Sequence, residues 1–367
     1  MAAAMLSACK PLPRFHAHKG YSGPGRGLAA SAALGVLVTS DYATHTLTVW
    51  NLRRGGDCHS KGLQVLDIFG GKELGVPMQF TDTLSRSGVS GSLAFSSGSP
   101  PRFGVSGFLA FSPSGFPPLL LVTDHVHAVV HVVDVVDRAH KGYLTAPERI
   151  PGPRGVAVAA TATCAGAGAG LPPFLVAVSS WKDRESGDHT VFVFEGTGAL
   201  CGASLHRIIG AGYGSPGKAD GQLHMPYGLC FDGDGGFVCV TDQKNHRISM
   251  FDAGSGGFVR HVVSEVKFPR SVERVPGGWV VAGTTLNVDE GHYLPVFDDD
   301  GGFNTFLANM DKRFYETSGV ARVPGLGLAV LGFTCVQVFT TPELVAMWDM
   351  SPVRVAWIAA VVRNGCA

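Results

Sequence analysis

The chain has 367 residues, 50 of them glycine and 16% charged, where ordinary usage is roughly 7% glycine and about 25% charged. With 45% apolar residues it can bury a large core, which excludes global disorder and collagen-like structure; 29 basic against 29 acidic residues leave no net field to gather nucleic acid or anionic lipid. The longest uninterrupted apolar stretch, Val355 to Val362, falls far short of the roughly 20 residues that span a bilayer, so no membrane partner is expected.

The first 40 residues contain no Asp or Glu but do contain Lys10, Arg14, Lys19 and Arg26, a pattern shared by organelle transit peptides and by flexible tails rich in Ala, Gly and Pro. Residues 1–26 are read as a flexible tail outside the folded domain. A secretory signal is disfavoured, because Met1 to Cys9 has no basic start and Lys10 cuts the apolar stretch short. The eight cysteines are scattered without a C-x-x-C pair or metal-ligand spacing, so reduced, buried thiols in a cytoplasmic protein are expected, with organellar targeting as the alternative.

An internal repeat then runs along the chain. Val38 to Asn51 (VTSDYATHTLTVWN) ends a strand at Asp41, turns through His45 and closes a second strand at Trp50-Asn51; Leu63 to Phe69 (LQVLDIF) reads as an outer strand. Gly70 to Ser106, rich in Ser, Gly and Pro, is an insertion on the linker side. Val122 to Asp134 (VTDHVHAVVHVVD) repeats the pattern without a gap from Asp124 to Asp134. In a third copy Ala177 to Ser180 leads through the longer loop KDRESGDHT into Val191 to Glu195, with Ser180 in place of the Asp. Val240 to Asp252 (VTDQKNHRISMFD) is the fullest copy. Gly278 to Ala282 and Val296-Phe297-Asp298, with Asn287 matching Asn245, form a fifth, and Val323-Pro324-Gly325 with Leu328 to Leu331 a sixth.

Each unit is opened by another strand after a P-x-G type turn: Pro153 to Val158, Pro226 to Phe231 and Pro269 to Val272, with weaker forms at Gly107 to Phe111 and Ser318 to Ala321. Adding an outer strand such as Phe258 to Val263 gives units of about 42 residues and four antiparallel strands. One such sheet cannot bury both faces until neighbours stack on it. The expected fold is therefore an all-β, six-bladed propeller of four-stranded antiparallel blades over residues 27–363 with an insertion at 70–106, its ring closed by a swapped terminal strand or by simple packing of blade six on blade one.

The run Ile209 to Asp252, IGAGYGSPGKADGQLHMPYGLCFDGDGGFVCVTDQKNHRISMFD, closely resembles the NHL repeat in its Gly-rich linker, P-x-G-x-x, D-G-G turn, V-x-D strand end and N-H-R-I-x-x-F. The other units resemble it less closely. The resemblance implies a ring-shaped propeller used mainly as a binding platform. It also brings in peptide-amidating lyases and, through a related propeller class, metal-dependent lactonases.

Most of the signature reads as architecture. Asp41, Asp124 and Asp242 end strands and can accept amide bonds of the turn they open, while Asn245, His246 and Arg247 are expected along the blade edge. His125, His127 and His131 lie close in sequence but occupy turn and strand positions that need not converge on a metal. The innermost strands GVAVAA, GLCFDG, SVERVP and GVARVP supply no ring of ligands; Glu273 is an isolated carboxylate. No catalytic, metal or cofactor site is expected.

Binding is expected on the rim shared by the P-x-G and D-x-x-N-H turns, where Arg154, Tyr227, Arg270 and Ser318 should ring the channel mouth as exposed contacts. The lengthened loops Trp181 to His189 and Val288 to Tyr293 share that rim and hold Lys182, Asp183, Arg184, Glu185, Asp289, Glu290 and His292. The leading expectation is a monomeric, non-enzymatic propeller that binds a protein or peptide, acidic or phosphorylated in character. A metal-dependent lyase or lactonase and an RNA-binding platform are the alternatives, and zero net charge disfavours the latter.

Overall fold

A computed structural model describes residues 10–11, 25–31, 33–41, 46–52, 64–70, 105–112, 117–125, 128–145, 150–161, 173–181, 189–197, 199–210, 216–232, 235–264, 266–283, 292–310, 317–323, 327–332 and 335–340. The short strand β1 (Lys10–Pro11) comes first. Blade one is β2 (Gly25–Ser31), β3 (Val36–Asp41), β4 (Thr46–Asn51) and β5 (Gln64–Gly70), and blade two is β6 (Val105–Phe111), β7 (Leu119–Asp124), β8 (Val129–Asp134) and β9 (Ala139–Tyr143). Blade three is β10 (Pro153–Ala160), β11 (Pro173–Ser180), β12 (Thr190–Thr197) and β13 (Ser204–Ile209). Blade four is β14 (Pro226–Asp232), β15 (Phe237–Asp242), β16 (Arg247–Asp252) and β17 (Phe258–Val263). Blade five is β18 (Pro269–Val275), β19 (Gly278–Gly283), β20 (His292–Asp298) and β21 (Phe303–Met310); blade six holds β22 (Thr317–Val323), β23 (Gly327–Gly332) and β24 (Cys335–Thr340). The result is six four-stranded antiparallel sheets.

Why the apolar runs are continuous follows from where each blade sits. Successive side chains of a strand point to opposite faces, and both faces of a blade meet a neighbour. Thus Leu37 packs between blades six and one while Val38 packs between one and two; Leu120 and Leu121, Val280 and Val281, and Val330 and Leu331 divide in the same way. The core is accordingly six apolar layers, one at each blade interface. Each fully buried Val or Leu in them contributes about 1.5–3 kcal/mol.

The inner strands β2, β6, β10, β14, β18 and β22 each pack against the inner strands on either side, and β2 meets β22, so the ring is closed. Closure also uses a borrowed strand. β1 lies outermost in blade six and pairs with β24, Lys10 opposite Val336 and Pro11 opposite Cys335. Part of the segment expected outside the ring, residues 1–26, therefore belongs to its last blade, and β2 begins at Gly25. Residues 341–363 and most of the insertion at 70–106 lie outside the described residues. No helix among the described residues is long and apolar enough to cross a membrane.

Two rims result. The start of each inner strand pairs with the end of the second strand, as Pro153 with Ser180, Pro226 with Asp242 and Pro269 with Gly283, so the P-x-G and D-x-x-N-H turns share one rim. On the other rim Asp134, Asp252 and Asp298 end third strands. Their Oδ1 atoms accept amide N–H bonds from Val136 and Asp137, from Ser255, and from Asp300 and Gly302, closing tight turns.

Candidate functional site

The rim is built on one repeated irregularity. Every inner strand shifts register beside the end of its second strand: between Gly25 and Leu28, Val105 and Leu109, Pro153 and Val156, Pro226 and Leu229, Pro269 and Ser271, and Thr317 and Gly319. The glycine of P-x-G serves the contact between blades, since a Cβ at Gly155 or Gly228 would overlap the carbonyl oxygen of Tyr227 or Arg270 in the next blade. Hydroxyl groups fasten the same seam. Thr123 Oγ1 donates to Arg154 O across 2.8 Å, Ser179 Oγ accepts from Gly155 N at 2.8 Å and donates to Tyr227 O, and Thr317 Oγ1 accepts from Gly283 N at 3.1 Å.

In blade four Asp242 is fully buried. Its carboxylate accepts bonds from His224 N at 2.7 Å, Asn245 Nδ2 at 2.8 Å and Arg247 Nε at 2.8 Å. Arg247, itself 6% exposed, donates also to the carbonyls of Lys218, Ala219 and Gln222, tying the preceding linker to the blade, and its Nη1 lies 3.2 Å from His261 Nε2. Burial raises the Asp242 pKa, and the three donors oppose that shift.

Blade two solves the same problem differently. Val129 holds the register position of Arg247, and the carboxylate of Asp124 faces His131 Nε2 at 3.5 Å instead. His131 Nδ1 lies 3.1 Å from His140 Nε2, and Tyr143 packs against both rings. Burial, and then the charge of His131, lowers His140 to about 4; burial, and then Asp124, pushes Tyr143 up to about 12. His125 sits in the turn after β7, and His127 lies outside the described residues. Among the described residues no group of three or more His, Cys, Asp or Glu is arranged to hold a metal ion.

His246 Nδ1 accepts the backbone N–H of Phe268 at 3.1 Å, and His189 Nδ1 accepts that of Met225 at 2.8 Å. Phe268 and Met225 directly precede Pro269 and Pro226 and have φ of +43° and +56°. A histidine in one blade's turn thus holds the left-handed residue that leads into the next blade. The role of His189 is legible only once Thr190 and Arg247 are aligned through their pairing with Ser180 and Asp242.

Arg154 is half-buried, its guanidinium 4.1 Å above the Trp181 ring, and Trp181 lies 5.8 Å from Tyr227. Tyr227, expected as an exposed contact, is 8% exposed: the bulge turns it over the ends of blade three, where it joins the layer around Phe174 and Phe192. Ser318 is buried as well, and Arg270 is half-buried. The same register position in blade one is Arg26, which lies in the segment expected as a flexible tail. Asp41 ends β3 opposite Gly25, and His292 begins β20 opposite Met310. Lys182 and Arg184, with Asp183, Glu185, Asp289 and Glu290, lie outside the described residues.

Glu273 stands apart. Its position on the inner strand is taken by Ala29, Ala110, Ala157, Cys230 and Ala321 in the other blades, as the pairing with the second strands shows. Its carboxylate accepts the backbone N–H of Arg322 in blade six, and burial raises it from 4.5 to about 7.

A model of the NHL repeat matches residues 223–251, which cover β14, β15 and nearly all of β16. No curated protein matches the chain by sequence. Among solved structures, a gluconolactonase from Xanthomonas campestris is similar with a TM-score of 0.53 and 16% identity, covering 92% of this chain and 97% of its own. Regucalcin, a calcium-binding protein from Agrobacterium tumefaciens, gives 0.52 and 11% over 87% and 90% of the two chains. A chain of a nidogen–laminin complex gives 0.47 and 13% over 78% and 80%. At such identities the first two likenesses concern the fold alone.

Proposed function

We propose that this six-bladed propeller, whose fourth blade is an NHL repeat, is a non-enzymatic scaffold that binds a protein or peptide on the rim where its inner strands begin. One observation carries the reading. The residue beside the bulge is Arg26 in blade one, Arg154 in blade three and Arg270 in blade five, so three arginine positions lie a third of a turn apart around one mouth. Packing alone would accept a small residue there, such as Ser318 of blade six. Arginine presents a planar fork matched to carboxylate and phosphate, which favours an acidic or phosphorylated segment. Stacking on Trp181 orients the guanidinium of Arg154. We read the protein as cytoplasmic and monomeric.

The test is the double variant Arg154→Ala, Arg270→Ala, followed by thermal unfolding and by affinity capture of partners. The reading expects a nearly unchanged unfolding midpoint with loss of captured partners. Lost stability with the same partner set would mean that the arginines only fasten blades together.

A further inference from the structure

Where blade four meets blade five, the rim carries a feature that the arginine positions do not use. Phe268 has a left-handed φ of +43°, a conformation that bulky side chains rarely adopt, yet its side chain is 37% exposed. Burial therefore does not account for the strain. Its counterpart before blade four, Met225, has the same sign of φ and the same bond to a histidine but is 5% exposed, a core residue. Phe268 is held outward by its N–H bond to His246 Nδ1 and by the His246 ring, which meets it edge-on at 4.4 Å and 87°.

Cations surround it. Lys244 Nζ stands 5.1 Å from the Phe268 ring centroid, and Lys218 and Lys267 are exposed and close enough to lower the pKa of His246, after burial and Lys244. Among the described residues no carboxylate pairs with any of these three lysines. Of the described acids, Asp242 is buried against Arg247 and Asn245, and Asp220 bonds His261 Nε2 at 3.0 Å. Among the described residues the patch is thus an exposed aromatic beside three lysines that no carboxylate pairs, in a chain with no net charge.

We infer that Phe268, Lys218, Lys244 and Lys267 form the docking patch for an acidic peptide segment of a partner protein, with carboxylates on the lysines and an apolar side chain against Phe268. The inference rests on the binding reading of the rim and assigns a sector and a ligand class to it. A peptide fits better than nucleic acid, because a base needs an open aromatic face and here Lys244 stands over the ring while His246 abuts it. Single carboxylates match point-like ammonium groups, whereas the bidentate arginine positions lie elsewhere on the rim.

The experiment measures fluorescence anisotropy of a labelled Glu-Glu-Asp-Leu-Glu-Glu peptide, with its Lys-substituted counterpart and a short oligouridine RNA as the other probes. The full chain is expected to bind the acidic peptide, more weakly as salt rises. The combined Lys218→Ser, Lys244→Ser, Lys267→Ser variant should bind about tenfold more weakly. Phe268→Gly, which relieves the left-handed strain, should also weaken binding while leaving the thermal midpoint unchanged or higher, which separates a lost contact from misfolding. Absence of peptide binding, equal affinity of the lysine variant, or tighter binding of oligouridine than of the peptide overturns the inference. If the lysine variant keeps its captured partners and the Arg154→Ala, Arg270→Ala variant loses them, this patch is wrong and the rim reading stands.

Discussion

Replacing Glu273 by Gln should make the protein more stable at pH 8 and leave it unchanged at pH 4. The other five blades place Ala or Cys at this position, and in blade five a half-buried carboxylate accepts one backbone N–H from Arg322, whose charge also acts on it. Its folded midpoint, about 7, lies above the unfolded 4.5, so the stability it contributes is present below pH 4.5 and is lost as pH rises through 7. The full shift corresponds to at most about 3.4 kcal/mol at about 1.4 kcal/mol per pH unit, and partial access to water reduces the expected effect to about 1–3 kcal/mol. Gln keeps an acceptor for the Arg322 N–H and removes the charge. Urea unfolding of both proteins at pH 4, 6 and 8 gives the difference directly, since all other titrations cancel. Parallel stability curves for the two proteins would refute the reasoning.

His140 has the opposite sign: its folded midpoint of about 4 lies below the ordinary 6.5, so stability falls as pH drops from 6.5 towards 4, and His140→Gln should flatten that limb by about 1–3 kcal/mol in the same assay. Asp242→Ala leaves the buried guanidinium of Arg247 without its carboxylate and should lower stability by about 3–5 kcal/mol, more than the loss of turn amides alone would give; a loss under about 1 kcal/mol contradicts the network. Gly228→Ala forces a Cβ against the carbonyl of Arg270 and should cost about 1–3 kcal/mol by denaturant unfolding, whereas Gly236→Ala, at a turn glycine with open space around it, should cost less.

The architecture was legible because a blade buried on both faces imposes a short pattern that recurs: apolar runs such as FVCV and WVVA, a strand-ending Asp, and a P-x-G turn. Less local features were not. β1 is two residues long and has no periodicity to read; only its pairing with β24 reveals it. Arg26 was hidden for the same reason, since its blade opens with Gly25 in place of Pro. Tyr227 looked like a surface contact because a bulge side chain can turn either way, and the neighbour that decides, Trp181, comes from another blade. In blade two Val129 stands where Arg247 stands in blade four, which leaves Asp124 without that partner. His131 and His140, on two different strands, restore a partner for Asp124 in a way that pairwise comparison of repeats does not display.

The central claim is that a partner docks on the rim of P-x-G and D-x-x-N-H turns. Amide hydrogen exchange of the protein alone and in complex with its affinity-purified partner tests it most directly. The account predicts added protection at residues 153–154, 243–246 and 267–271, with none at the opposite turns, 253–257 and 299–302. Protection confined to those opposite turns, or to the outer strands, would contradict it.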